Sequence, residues 1–176
     1  MRLFIATELP SELLEALAET QADLRASIKG RYVSPDSFHV TLAFLSNVES
    51  WRVNDIAELL DEACANQAPF AATLAELGFF GRRGKAALWQ GFAGKAAFTS
   101  LAQRVRENLS REGFDFDGKG FLPHVTLMRG ADLSTGTLPM PAVAHGTVDT
   151  VSLFQSDLSG ERPIYTALHR VLLQSE

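Results

Sequence analysis

Phe38-His39-Val40-Thr41-Leu42-Ala43-Phe44-Leu45 is the stretch on which the fold turns, because its tetrapeptide His-Val-Thr-Leu returns 85 residues later in Pro123-His124-Val125-Thr126-Leu127-Met128-Arg129. At a usage of roughly 6% per residue type, the chance that any two of the four histidines share their next three residues is about one in a thousand. Both copies alternate as strands do. Strict alternation puts His39 and Thr41 on one face and Val40, Leu42 and Phe44 on the other, and it pairs His124 with Thr126 against Val125 and Leu127. An imidazole and a hydroxyl buried without partners would be costly, so the two polar faces are expected to meet in one wet cleft.

Outward from the motifs, periodicity gives the remaining elements. Arg2–Thr7 reads as a strand. Pro10-Ser11 opens a helix with Leu14, Leu17, Leu24 and Ile28 on its apolar face, Gln21 interrupting it and Gly30 ending it. Val53, Ile56, Leu59, Leu60 and Ala63 mark a second helix to about Gln67, and Phe98, Leu101, Val105 and Leu109 a third that closes near Gly113. Phe70–Phe80 and Ala86–Phe92 form a hairpin across Gly81-Arg82-Arg83-Gly84-Lys85, and Val148–Gln155 and Ile164–Leu173 form another around Ser159-Gly160. Hairpins favour antiparallel pairing over a doubly wound parallel sheet, so the class is α+β. The glycines at 81 and 84 lack the spacing and strand-to-helix setting of a nucleotide-phosphate loop.

Composition narrows the function. With 46% hydrophobic and 21% charged residues among 176, the chain resembles an ordinary globular protein that can bury a core, and residues 1–176 are taken as a single domain. No apolar run approaches the ~20 residues of a membrane span, so no membrane partner is expected, and a cytoplasmic monomer is. Cys64 is the only cysteine, which rules out an internal disulfide or a multi-thiolate zinc site; it is expected to be buried. A net charge of −5 argues against tracking a long phosphate backbone, so any nucleic-acid contact should be local.

The doubled H-x-T motif resembles the signature of the two-histidine phosphoesterase superfamily. Together with Arg2-Leu3-Phe4-Ile5-Ala6 and the final hairpin from Ser156 to Tyr165, it is similar to the bacterial RNA 2′,3′-cyclic phosphodiesterases, also called 2′–5′ RNA ligases. The resemblance implies a bilobal α+β fold: two antiparallel sheets with outer helices, related by pseudo-two-fold symmetry around a central cleft. It further implies hydrolysis of RNA 2′,3′-cyclic phosphate ends, or of nucleoside 2′,3′-cyclic phosphates, to a 2′-phosphate without metal or cofactor. The resemblance extends to 2′–5′ RNA ligase activity in vitro. His39 would be the general acid on O3′, His124 the general base on water, and Arg129 a phosphate-binding residue.

The chemistry suits these residue types. In-line attack on phosphorus needs one group to take a proton and another to give one, and imidazoles with an ordinary pKa of about 6.5 can share those tasks. Sequence alone leaves open which ring does which. The Thr41 and Thr126 hydroxyls can donate to the non-bridging oxygens as charge develops, and the Arg129 guanidinium fits a phosphate. Strict alternation, however, turns Arg129 away from His124, so its role requires a bulge or twist. His145 and His169 lack the H-x-T context, Arg82, Arg83 and Lys85 form a basic hairpin tip that reads as solvated rather than as a guide for RNA, and Phe121 suits a core position better than a base-stacking one. Other readings are a related phosphodiesterase acting on a different cyclic phosphate or a 2′–5′ oligonucleotide, a non-catalytic RNA-end binding module, and a zinc hydrolase using a third histidine.

Overall fold

The computed structural model describes residues 1–134 and 136–175. Along the chain run β1 (Leu3–Thr7), α1 (Ser11–Arg25), β2 (Arg31–Tyr32), β3 (Val40–Leu45), α2 (Val53–Cys64), β4 (Phe70–Arg82), β5 (Lys85–Ala93), α3 (Ala96–Arg111), β6 (His124–Ala131), β7 (His145–Val148), β8 (Thr150–Asp157) and β9 (Ile164–Leu172). They build two antiparallel sheets, ordered β3-β1-β8-β9 and β2-β6-β5-β4-β7. The α+β class holds. The lobes are not consecutive halves of the chain, because the first sheet joins strands from both ends and the second is drawn mainly from the middle.

The helices pack where their apolar faces send them. Ile56, Leu59, Leu60 and Ala63 of α2 and Leu101, Val105 and Leu109 of α3 bury against Leu3, Ile5, Leu45 and Leu153 of the first sheet. Helix α1 crosses to the second sheet, placing Leu13, Leu17 and Leu24 against Leu74, Leu88, Val125 and Leu127. Each fully buried leucine contributes roughly 1.5–3 kcal/mol relative to an exposed one. Leu13 is buried on that face and Leu14 only partly so. Cys64 lies in the first core, where burial pushes its thiol up to about 11.

Strands β2 and β7 were not legible as strands. β2 is two residues long and β7 four, and each is an outer strand of the second sheet held by backbone pairing to β6 or β4, with too few residues to show a period. Helices α1 and α2 stop at Arg25 and Cys64, a few residues short of the expected ends.

Each motif strand carries a bulge. On β3, Ile5 pairs with Ala43 and Ala6 with Thr41, so Leu42 is the extra residue. On β6, Leu88 pairs with Met128 and Trp89 with Thr126, so Leu127 is extra. The same leucine of each His-Val-Thr-Leu is therefore set out of register, and the side chains beyond it change face. A helix side chain holds each bulge. Arg106 of α3 donates through Nε to the Leu42 carbonyl at 2.9 Å, and Gln21 of α1 donates through Nε2 to the Leu127 carbonyl at 2.9 Å and to that of Val33 at 2.7 Å. The polar interruption in the α1 pattern is thus a buried amide whose donor is satisfied across the core.

Candidate active site

The face change places the arginine. Beyond the Leu127 bulge, Arg129 lines the same cavity as His124 and Thr126, and His39 and Thr41 line it from the other sheet. This cavity of 470 Å³ lies between the two sheets and is closed on one side by Tyr165 and by Glu161, Arg162 and Pro163 of the β8–β9 connection. All five residues singled out in the sequence meet there. The bulge on β3 overturns one expectation: Phe44 shares the His39 face, because it lies directly opposite Phe4, whose ring packs 4.9 Å from the His39 ring. Phe44 thus occupies in the first lobe the position that Arg129 holds in the second. At this position of the duplicated motif, a guanidinium stands in the second copy and a phenyl ring in the first.

Both imidazoles are oriented alike. Nδ1 of His39 lies 2.6 Å from the Ser37 carbonyl oxygen and Nδ1 of His124 lies 2.6 Å from that of Leu122. A carbonyl can only accept, so each Nδ1 carries the proton and each neutral ring has its lone pair on Nε2. The Thr41 hydroxyl consequently donates to Nε2 of His39, at 2.9 Å.

Aromatic rings back each histidine. Phe4 and Tyr165 pack on His39 with centroids 4.9 and 5.6 Å away, and Phe80 and Trp89 pack on His124 at 5.0 and 5.8 Å. These four residues escaped the sequence reading, since each looks like an ordinary core or strand aromatic until the sheets assemble. The Trp89 indole lies over Gly78, its cross-strand partner, where an added Cβ would come within 2.4 Å of the ring. Gly78→Val is therefore expected to displace Trp89, lowering the urea midpoint by the equivalent of about 1–3 kcal/mol and reducing turnover; unchanged denaturation would contradict the packing.

Burial pushes the His39 imidazole down to about 4, aided by the Arg129 and His124 charges and opposed by the hydrogen bond to Ser37. Burial lowers His124 too, with Arg129 adding to the effect against the hydrogen bond to Leu122. An unfolded histidine titrates near 6.5, so between that pH and about 4 the unfolded chain binds the extra proton. The His39 contribution is fully present above pH 6.5 and is lost as the pH falls towards 4, a difference on the order of 3 kcal/mol. His39→Gln is expected to flatten the stability–pH curve in that window, as urea melts across the range will show; a curve as steep as the unaltered protein's would contradict the shift.

The weaker candidates lie elsewhere. Arg82, Arg83 and Lys85 are exposed at the β4–β5 tip and do not line the cavity. Phe121 packs against both cores beneath the Arg106 guanidinium. His145 is exposed on β7, and His169 on β9 meets Asp61 at 2.7 Å. Among the described residues no group of three or more His, Cys, Asp or Glu side chains is placed to hold a metal ion, and no helix is long and apolar enough to cross a membrane.

Known proteins share this fold. The chain is 32% identical to the RNA 2′,3′-cyclic phosphodiesterase of Thermus thermophilus, covering 100% of this chain and 92% of that one. It is 30% identical to the protein of the same name from Escherichia coli, over 96% and 94%. Among solved structures, E. coli LigT complexed with 3′-AMP superposes with a TM-score of 0.83 at 30% identity over 98% and 97% of the two chains, and Thermus thermophilus TT0787 with 0.84 at 28% over 100% of both. A family profile matches residues 9–159, and with these relatives it establishes that the chain belongs to the 2′–5′ RNA ligase superfamily.

Proposed function

We propose that this protein hydrolyses the 2′,3′-cyclic phosphate at RNA ends to a 2′-phosphate, with His39 and His124 as its acid–base pair. The observation that carries the reading is two imidazoles of the same tautomer, from separate sheets, lining one cavity beside Thr41, Thr126 and Arg129. Relatives matched over nearly their whole length bear the name RNA 2′,3′-cyclic phosphodiesterase, and E. coli LigT, of similar fold, is known in complex with 3′-AMP. Because the cavity takes residues from both lobes, residues 1–176 act as one bilobal unit.

In this reaction His124 accepts a proton through Nε2 from the attacking water, the new P–O bond forms, and the P–O3′ bond breaks as Nε2–H of His39 protonates O3′. The Thr126 and Thr41 hydroxyls and the Arg129 guanidinium hold the non-bridging oxygens as their charge grows. Burial disfavours the charged form of both rings. The acid's proton therefore arrives with the substrate, whose negative charge favours an imidazolium beside it. His39 has the deeper depression, which makes it scarcely protonated when free but a strong donor once charged. The family resemblance gives it the acid's part.

The test is an RNA oligomer ending in a 2′,3′-cyclic phosphate, incubated with the protein and excess EDTA. The expected product ends in a 2′-phosphate. Tight binding without product would favour an RNA-end binding module, and activity lost to the chelator would favour a metal hydrolase.

A further inference from the structure

Arg31 and Arg129 are direct partners on β2 and β6. Opposed residues of an antiparallel pair project on the same face with Cβ atoms roughly 4.5–5.5 Å apart, and like charges in that position are destabilising. Both line the cavity, with Arg162 nearby on the β8–β9 connection. Among the described residues, none of the three has a carboxylate within 4.0 Å, and the one acidic lining residue, Glu161, pairs with none of them. A cross-strand guanidinium pair left without a counterion in a protein of net charge −5 suits an anion with more than one phosphate.

We propose that Arg31 binds a second phosphate, the phosphodiester 5′ to the nucleotide carrying the cyclic phosphate, so that the cleft reads the end of an RNA chain in preference to a single nucleotide. This rests on the phosphodiesterase reading and extends it. Arg129 holds the reacting phosphate beside the histidines. Arg31, on the outer strand β2, lies one strand further from His124 and meets the next phosphate of the chain.

The experiment compares 2′,3′-cyclic AMP, which has no 5′ phosphodiester, with the dinucleotide adenylyl-adenosine 2′,3′-cyclic phosphate. The unaltered protein is expected to favour the dinucleotide. Arg31→Ala is expected to lower kcat/KM for the dinucleotide about tenfold or more, chiefly through KM, while leaving the mononucleotide within twofold. The slope of log KM against log salt for the dinucleotide should fall by about 0.7, the amount for one single-strand phosphate. Arg31→Lys should restore part of the preference, and thermal unfolding should be unchanged or raised in Arg31→Ala, where the like-charge contact is relieved.

Equal losses on both substrates would place Arg31 on the reacting phosphate, and no loss on either would leave it without a ligand. Each result overturns the proposal while leaving the phosphodiesterase reading intact. Failure of the unaltered protein to turn over either substrate is a separate outcome that sinks both.

Discussion

Alanine at His39 or at His124 is expected to lower kcat by about 10²–10⁴ each, in proteins that still fold. In the proposed reaction every proton moved passes through Nε2 of one ring or the other, and among the described residues the other titratable rings lining the cavity are those of Tyr32 and Tyr165. The two losses should not multiply. Once one proton transfer fails, the geometry that served the other has little left to act on, so the double variant should resemble the worse single one. Stability should change little or rise at acid pH, because each substitution removes a buried group that resists protonation. Steady-state turnover of 2′,3′-cyclic AMP beside urea melts makes the comparison; near-normal turnover in either folded variant would remove that ring from the mechanism.

Arg129→Ala should follow with a loss of about 10²–10³ in kcat/KM, the scale for removing a donor aimed at developing charge. It should also let both histidines titrate closer to their ordinary pKa, because the guanidinium is among the causes that hold both down. The acidic limb of the pH–rate profile is therefore expected to move upward in this variant. Arg129→Lys should recover only part of the activity, since an ammonium cannot present the planar fork. A profile that does not move, or full rescue by lysine, would count against the placement of Arg129 at the reacting phosphate.

The residues that line the cavity from the two motifs were largely legible in the sequence because they sit on a duplicated strand pattern, whose polar and apolar faces can be read from alternation. The positions of Arg129 and Phe44 were not. Both depend on bulges at Leu127 and Leu42, and a bulge is a property of how a strand pairs with its neighbours rather than of its own residues. Gln21 shows the same limit: in the helix it reads as an interruption, and only assembly reveals its donor serving the Leu127 and Val33 carbonyls. Arg31 stayed hidden because a two-residue strand has no period, and its significance comes from facing Arg129. The aromatics around the histidines, Phe4, Tyr165, Phe80 and Trp89, come from four different strands and share no spacing that could have announced them.

That asymmetry also bears on function. Two copies of His-Val-Thr-Leu with equivalent tautomers would make a cleft indifferent to substrate direction, but the motif position held by Arg129 in the second copy is held by Phe44 in the first, so in the proposed reaction Arg129 draws the reacting phosphate towards His124.

The most direct measurement is the titration of imidazole-labelled protein with 2′-AMP, followed by the ring ¹⁵N resonances of His39 and His124. A single phosphate held between the rings predicts that both sets of resonances move with one shared affinity and that both pKa values rise in the complex. Movement of one ring alone, or of neither at saturating ligand, would contradict the account.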